Sequence, residues 1–161
     1  MSETETETGV GQVGQGDTAA VSLLLGDQMC FALYAAQRAV TSRYRPLLEK
    51  LNLTYPQYLV MLVLWEHGAL PIKTLGARLQ LDYGTLTPLL KRLEAHGFIR
   101  RERQASDERS VQITLTEEGS ELRERARAVP AAMGEAVGFS PREIEDAKSF
   151  LERLTANLSA T

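Results

Sequence analysis

Near residue 97 the hydrophobic period of the chain changes from helical to alternating, and this change limits the possible folds more than any other feature. Before it, two short helical units cover about 72–79 and 83–96, separated by Gln80-Leu81-Asp82. Leu75, Leu79, Leu81, Leu86, Leu89, Leu90 and Leu93 are the positions that would pack these units together. Gly97 stops the second. After it, Phe98–Gln104 and Ser110–Leu115 read as strands, with Val111, Ile113 and Leu115 alternating against Gln112 and Thr114. The polar Ala105-Ser106-Asp107-Glu108 between them has the chemistry of a hairpin tip. Two short helices with a tight turn, followed at once by a basic hairpin, predict a winged helix-turn-helix.

Helices flank this unit on both sides. Leu33, Val40, Tyr44, Leu47 and Leu51 recur at helical spacing between about Asp27 and Leu51. A second helix is expected over about 55–66, with Pro56 in its first turn and Gly68 as its stop. Its run Tyr58-Leu59-Val60-Met61-Leu62-Val63-Leu64-Trp65 is apolar nearly all round, which predicts burial in the core or at a subunit interface. Thr116 caps a further helix with Glu117 and Glu118 in its first turn. Ser140-Pro141-Arg142-Glu143 starts the last one with a capping box and a first-turn proline. The expected fold is α+β and mostly helical. Residues 1–20 form an acidic tail too poor in apolar area to order, and residues 21–161 one winged-helix domain. Within it, about 70–116 bind DNA, while about 21–68 and 117–158 dimerise and sense.

Charge agrees once its distribution is considered. Residues 1–27 hold Glu3, Glu5, Glu7, Asp17 and Asp27 and no base, so a net charge of −3 leaves +2 for the remainder. Lys91, Arg92, Arg100, Arg101, Arg103 and Arg109 gather around the predicted helix pair and hairpin. Thr85, Thr87, Lys91 and Arg92 are the polar candidates for the major groove. Arg109, with Asp107 beside it at the hairpin tip, suits a narrow minor groove, and Arg100, Arg101 and Arg103 suit phosphates. An ordinary solvated helix face would carry the same charges; the supersecondary context favours DNA. The start of the second helix stays open, because Asp82 and Thr87 are both good caps and Pro88 fits a first turn after Thr87.

The run Leu81-Asp82-Tyr83-Gly84-Thr85-Leu86-Thr87-Pro88-Leu89-Leu90-Lys91-Arg92-Leu93-Glu94, then Gly97-Phe98-Ile99, resembles the recognition helix of MarR-type regulators. Asp107-Glu108-Arg109-Ser110-Val111, followed by Leu115-Thr116-Glu117-Glu118-Gly119, resembles their wing and exit. The Gly84–Leu90 wording is that of the OhrR branch, the organic-hydroperoxide sensors. Similarity extends from about Met29 to about Arg127 and more weakly through residue 158. It implies a homodimeric repressor on a pseudo-palindromic duplex operator, with Thr85, Thr87, Pro88, Lys91, Arg92, Arg101, Asp107 and Arg109 at the DNA.

Cys30 is the only cysteine. A lone cysteine on an apolar helix is ordinarily an inert small hydrophobe. A first-turn position after an Asp27 cap would favour thiolate, whereas the Asp27 charge opposes it, so the residues alone leave its reactivity open. The resemblance makes it the peroxidatic thiol, in Cys30-Phe31-Ala32-Leu33-Tyr34, with Tyr44 and Tyr55 as its hydrogen-bonding phenols and Tyr34 in the same setting. Cys30 and Tyr44 share a predicted helix and stand about 21 Å apart along it at ~1.5 Å per residue. Their contact therefore requires a second subunit. Relatives of this branch often carry a second, C-terminal cysteine that forms an intersubunit disulfide; here there is none. Oxidised Cys30 must then condense with a low-molecular-weight thiol or a backbone nitrogen, or oxidise further.

Other chemistries find little support. No apolar run reaches the ~18 residues of a membrane span, the acidic first residues do not read as a signal peptide, and one cysteine suits a reducing cytoplasm. His67 and His96 precede glycines at helix ends without companions at ligand spacing, so neither a metal nor a cofactor is expected. Two rivals remain. One is a MarR-type repressor released by a phenolic or aromatic ligand. The other is a thiol peroxidase using Cys30, disfavoured because no His or Arg adjoins the thiol.

Overall fold

The computed structural model describes residues 22–104 and 107–160, with backbone alone at 104 and 107–110. The expected acidic tail over residues 1–20, the hairpin-tip residues 105 and 106, and the side chains of Asp107 and Arg109 lie outside the described residues. The chain divides into two units, Met1–Ala36 and Gln37–Thr161.

In the first unit a 3-10 turn over Leu25–Asp27 leads into α1 (Met29–Glu49), which continues into the second unit. Asp27 does not cap α1. Its carboxylate accepts from the Ser22 hydroxyl at 2.5 Å, and the extended Gln28 takes the cap position. The Gln28 carbonyl accepts from the Phe31 and Ala32 N–H groups.

The second unit adds α2 (Tyr55–His67), β1 (Leu70–Pro71), α3 (Ile72–Leu79), α4 (Tyr83–Ala95), β2 (Ile99–Gln104), β3 (Asp107–Leu115), α5 (Glu117–Ala126), α6 (Ala128–Val137) and α7 (Pro141–Ser159). Gly68 closes α2 at φ 71°, a conformation open to glycine. Pro71 has no N–H for a ladder, which an edge strand tolerates. β1 is such an edge, pairing antiparallel with β3 through Leu70↔Ile113 and Pro71↔Gln112. Two residues are too few to show a period, so the sequence reading contained no such strand.

Between α3 and α4 the chain turns tightly. Gln80 adopts the left-handed conformation, and the Gly76 backbone comes so close that a Cβ there would meet the Leu81 carbonyl at 2.9 Å. Asp82 settles the start of α4: its carboxylate accepts from the N–H and the hydroxyl of Thr85, both at 2.8 Å. Pro88 accordingly lies inside the helix, not at its beginning. At the far end Gly97 (φ 78°) donates to the Glu94 carbonyl and Phe98 to that of Leu93, closing the helix with paired reverse bonds.

β2 and β3 form the wing, in register from Ile99↔Leu115 to Arg103↔Val111. Beyond a bulge, Gln104 pairs with Asp107, so β3 starts three residues earlier than its alternating pattern implied. The helix after Thr116 is also not continuous. It breaks at Arg127, because Pro130 has no N–H for the Ala126 carbonyl and its ring crowds that oxygen. Ser140 and Glu143 form the expected capping box of α7.

The core of this unit joins Leu48, Val60, Met61 and Leu64 to Leu75, Leu86, Leu90, Leu93, Ile99 and Ile113. One backbone contact fixes the wing root to α5. A Cβ on Gly119 would lie 1.9 Å from the Phe98 carbonyl oxygen, which accepts from Thr116 N–H. Gly119→Ala is therefore expected to destabilise the fold by about 3 kcal/mol, since backbone cannot yield as a side-chain end does; denaturant unfolding measures it, and a loss within error of zero would contradict the packing.

Thr85 holds the Asp82 carboxyl below the usual carboxylate range, first through its N–H and then through its hydroxyl. A lowered folded-state value contributes stability above the ordinary carboxylate range that is lost as pH falls through the lowered value. Asp82→Ala is expected to lower the thermal midpoint at neutral pH and to converge on the wild type in acid. A gap that persists unchanged in acid would contradict the assignment.

Candidate nucleic-acid interface and thiol site

One face of α4 carries Leu86, Leu90 and Leu93, all at most 1 % exposed, so the opposite face is necessarily turned outward. That face presents Thr85, Pro88, Lys91 and Arg92, with Thr87 half-buried at its edge. Lys91 and Arg92 form no ion pair among the described residues. Arg100 and Arg103 are exposed along β2. Arg101 differs: its Nε donates to Glu94 Oε2 at 2.8 Å, both side chains half-buried, so it ties the wing to α4. The sequence order offered no sign of this pairing, because the partners sit on elements of different period. A recess of about 770 Å³ lies nearby but is rimmed by Glu94, Glu117, Glu118 and Glu121, which disfavours a polyanion.

Away from this face the aromatic residues of α1 and α2 converge. Tyr44 and Tyr55 approach with ring centroids 4.5 Å apart, and Tyr58 lies 5.9 Å from Tyr44. Burial pushes the Tyr44 and Tyr58 hydroxyls up from their usual values, and the crowded phenols reinforce the shift, so both remain protonated donors at neutral pH. Tyr58 in turn meets Trp65 edge-on at 6.3 Å, and the Trp65 indole donates to the Gly119 carbonyl at 2.8 Å. Tyr58 was absent from the sequence-derived site, since its apolar neighbours in α2 read as plain core. Tyr55 also lines a cavity of about 330 Å³ with Thr41, Arg45, Leu53 and Pro56.

In the first unit, Cys30 is exposed in the opening turn of α1. Phe31 and Tyr34 stack beside it, 6.3 Å apart, and Leu23, Leu24, Leu25 and Met29 are exposed as well. An accessible thiol among uncovered apolar side chains can meet an apolar oxidant.

Comparison with known proteins extends this picture. The profile of the SarA/Rot transcriptional regulators matches residues 42–125. The organic hydroperoxide resistance transcriptional regulator of Bacillus subtilis is 52% identical over 130 residues, covering 81% of this chain and 86% of the relative. AbfR of Staphylococcus epidermidis, solved reduced on DNA, is 38% identical with a TM-score of 0.72 over 84% of this chain and 92% of AbfR. PcaV of Streptomyces coelicolor, at 22% identity and TM-score 0.76, shares the fold over 84% of this chain and 97% of its own. The helix pair, the wing and these likenesses together make this a DNA-binding transcriptional regulator, not an enzyme: the chain belongs to the MarR-type winged-helix family, in the branch of the organic hydroperoxide regulators.

Proposed function

We propose that the protein is a homodimeric repressor that senses organic hydroperoxides through Cys30 and releases its operator on oxidation. The observation that carries this reading is the pairing of Tyr44 with Tyr55 on two different helices, which makes a double phenol donor. The Cys30 thiolate of a second copy is its occupant, as the helical spacing of Cys30 and Tyr44 requires. The protein works in the cytoplasm, where reducing conditions restore the thiol.

In the reaction the thiolate attacks the outer oxygen of the hydroperoxide. The S–O bond forms as the O–O bond breaks, the alkoxide leaves and takes up a proton, and Cys30 becomes sulfenic acid. A low-molecular-weight thiol then condenses with it, forming a mixed disulfide and releasing water. Phe31 and Tyr34 supply the apolar surroundings that favour an organic peroxide.

Residues 21–161 act as one winged-helix domain, dimerised through its terminal helices. α7 supports this: none of its residues is buried, and Ile144, Phe150, Leu151 and Leu158 are exposed. In the reduced dimer two α4 helices enter successive major grooves of a pseudo-palindromic operator, with Thr85, Thr87, Pro88, Lys91 and Arg92 at the DNA. The wing residues Asp107 and Arg109 complete the set at the DNA, and Arg101 serves mainly to hold the wing. A polar adduct on Cys30 at the dimer interface favours a different spacing of the two helices, which no longer fits DNA.

Cys30→Ser is expected to repress normally and to ignore an alkyl hydroperoxide, because a serine hydroxyl does not attack peroxide at a useful rate. Tyr44→Phe and Tyr55→Phe are expected to slow oxidation without abolishing it. Operator release by cumene hydroperoxide measures both. Undiminished release from Cys30→Ser would overturn the sensor and favour a bound-ligand trigger.

A further inference from the structure

The opening turn of α4 leaves one hydroxyl proton uncommitted. Thr85 Oγ1 donates to Asp82 Oδ2 at 2.8 Å, and Thr87 Oγ1 donates to the Tyr83 carbonyl at 2.7 Å. A hydroxyl has a single proton, so both threonines can meet a base edge only as acceptors. Tyr83 is the first residue of the helix and is 67% exposed. Its phenol hydroxyl bonds to nothing among the described residues. Its ring lines an apolar recess of about 390 Å³ between α3 and α4, with Ile72, Leu81, Leu86 and Lys73.

We propose that Tyr83 is a specificity-determining residue whose hydroxyl donates to a major-groove acceptor of one base pair in each operator half-site. This rests on the reading of α4 as the helix that enters the groove. Residues at the N-terminal end of such a helix reach base edges, where guanine offers N7 and O6, adenine N7 and thymine O4. Neither threonine can satisfy those acceptors. Tyr83 borders the recess and is otherwise exposed, so its hydroxyl is free to face the groove. Lys73, exposed on the opening turn of α3 at the same recess, supplies a phosphate contact that seats the helix pair without reading sequence.

The test uses the reduced full-length protein and an operator that it selects from a randomised duplex pool, with every single-base-pair variant of one half-site. Tyr83→Phe keeps the ring and removes only the donor. It is expected to bind the selected operator about five- to tenfold more weakly and to lose its preference at one base pair. Affinity for an unrelated duplex and the salt dependence should stay as in the wild type. Lys73→Ala is expected to weaken binding to all duplexes alike and to lower the salt slope by about one. Wild-type discrimination by Tyr83→Phe, or an equal loss on every duplex, overturns the assignment while Lys91→Ala and Arg92→Ala still weaken binding. Should those two also bind as the wild type does, α4 is not the DNA helix and both readings fall.

Discussion

The close approach of Gly119 to the Phe98 carbonyl governs how the parts of the second unit relate. No side chain fits at this point, so α5 meets the wing root backbone to backbone. Around the contact, Thr116 donates its hydroxyl to the Gly97 carbonyl and accepts from the Gly119 N–H, while Trp65 donates to the Gly119 carbonyl. Hydrogen bonds from α2, from the end of α4 and from α5 thus converge within a few residues. The wing therefore cannot swing freely against α4. Arg101 and Glu94 pin the same two elements on the outer side.

This junction also connects the tyrosines to the DNA-binding parts. Tyr55, Tyr44, Tyr58 and Trp65 pack in that order, and the last of them bonds to Gly119. Aromatic contacts of this kind are worth about 0.5–1.5 kcal/mol each beyond area burial, enough to make the chain a coherent packing unit. The tyrosine cluster is thus joined to the wing root by packed rings and one hydrogen bond. In the proposed function the tyrosine pair at one end and the exposed face of α4 at the other are the two sites that a coupled regulator needs.

Much of the architecture was legible because it is local. The Thr116 and Ser140 caps, the glycine stops at 68 and 97, and the change of period near Phe98 each follow from neighbouring residues. What escaped depends on elements too short to show a pattern or on which of several nearby partners a residue takes. β1 has two residues; the Arg127 break follows from Pro130, three residues on; and Asp27 faces back to Ser22 instead of forward to α1. Cap choice at α4 was undecidable from propensity and became clear only through the two bonds from Thr85. Arg101 read as a phosphate ligand because Glu94 lies in a helix and Arg101 in a strand. The convergence of Tyr44 and Tyr55 was implied by family likeness, not by spacing, and Tyr58 was hidden in an apolar run.

In the proposed dimer the thiol of one copy is served by the phenols of the other. A mixed dimer tests it most directly, with Cys30→Ser in one chain and Tyr44→Phe with Tyr55→Phe in its partner. If the site is shared, the single remaining Cys30 faces the intact tyrosines of the Cys30→Ser chain. Its rate of oxidation by an alkyl hydroperoxide, followed by intact mass, is then that of the wild type. A rate as slow as that of the dimer lacking both phenols in each chain would contradict the account.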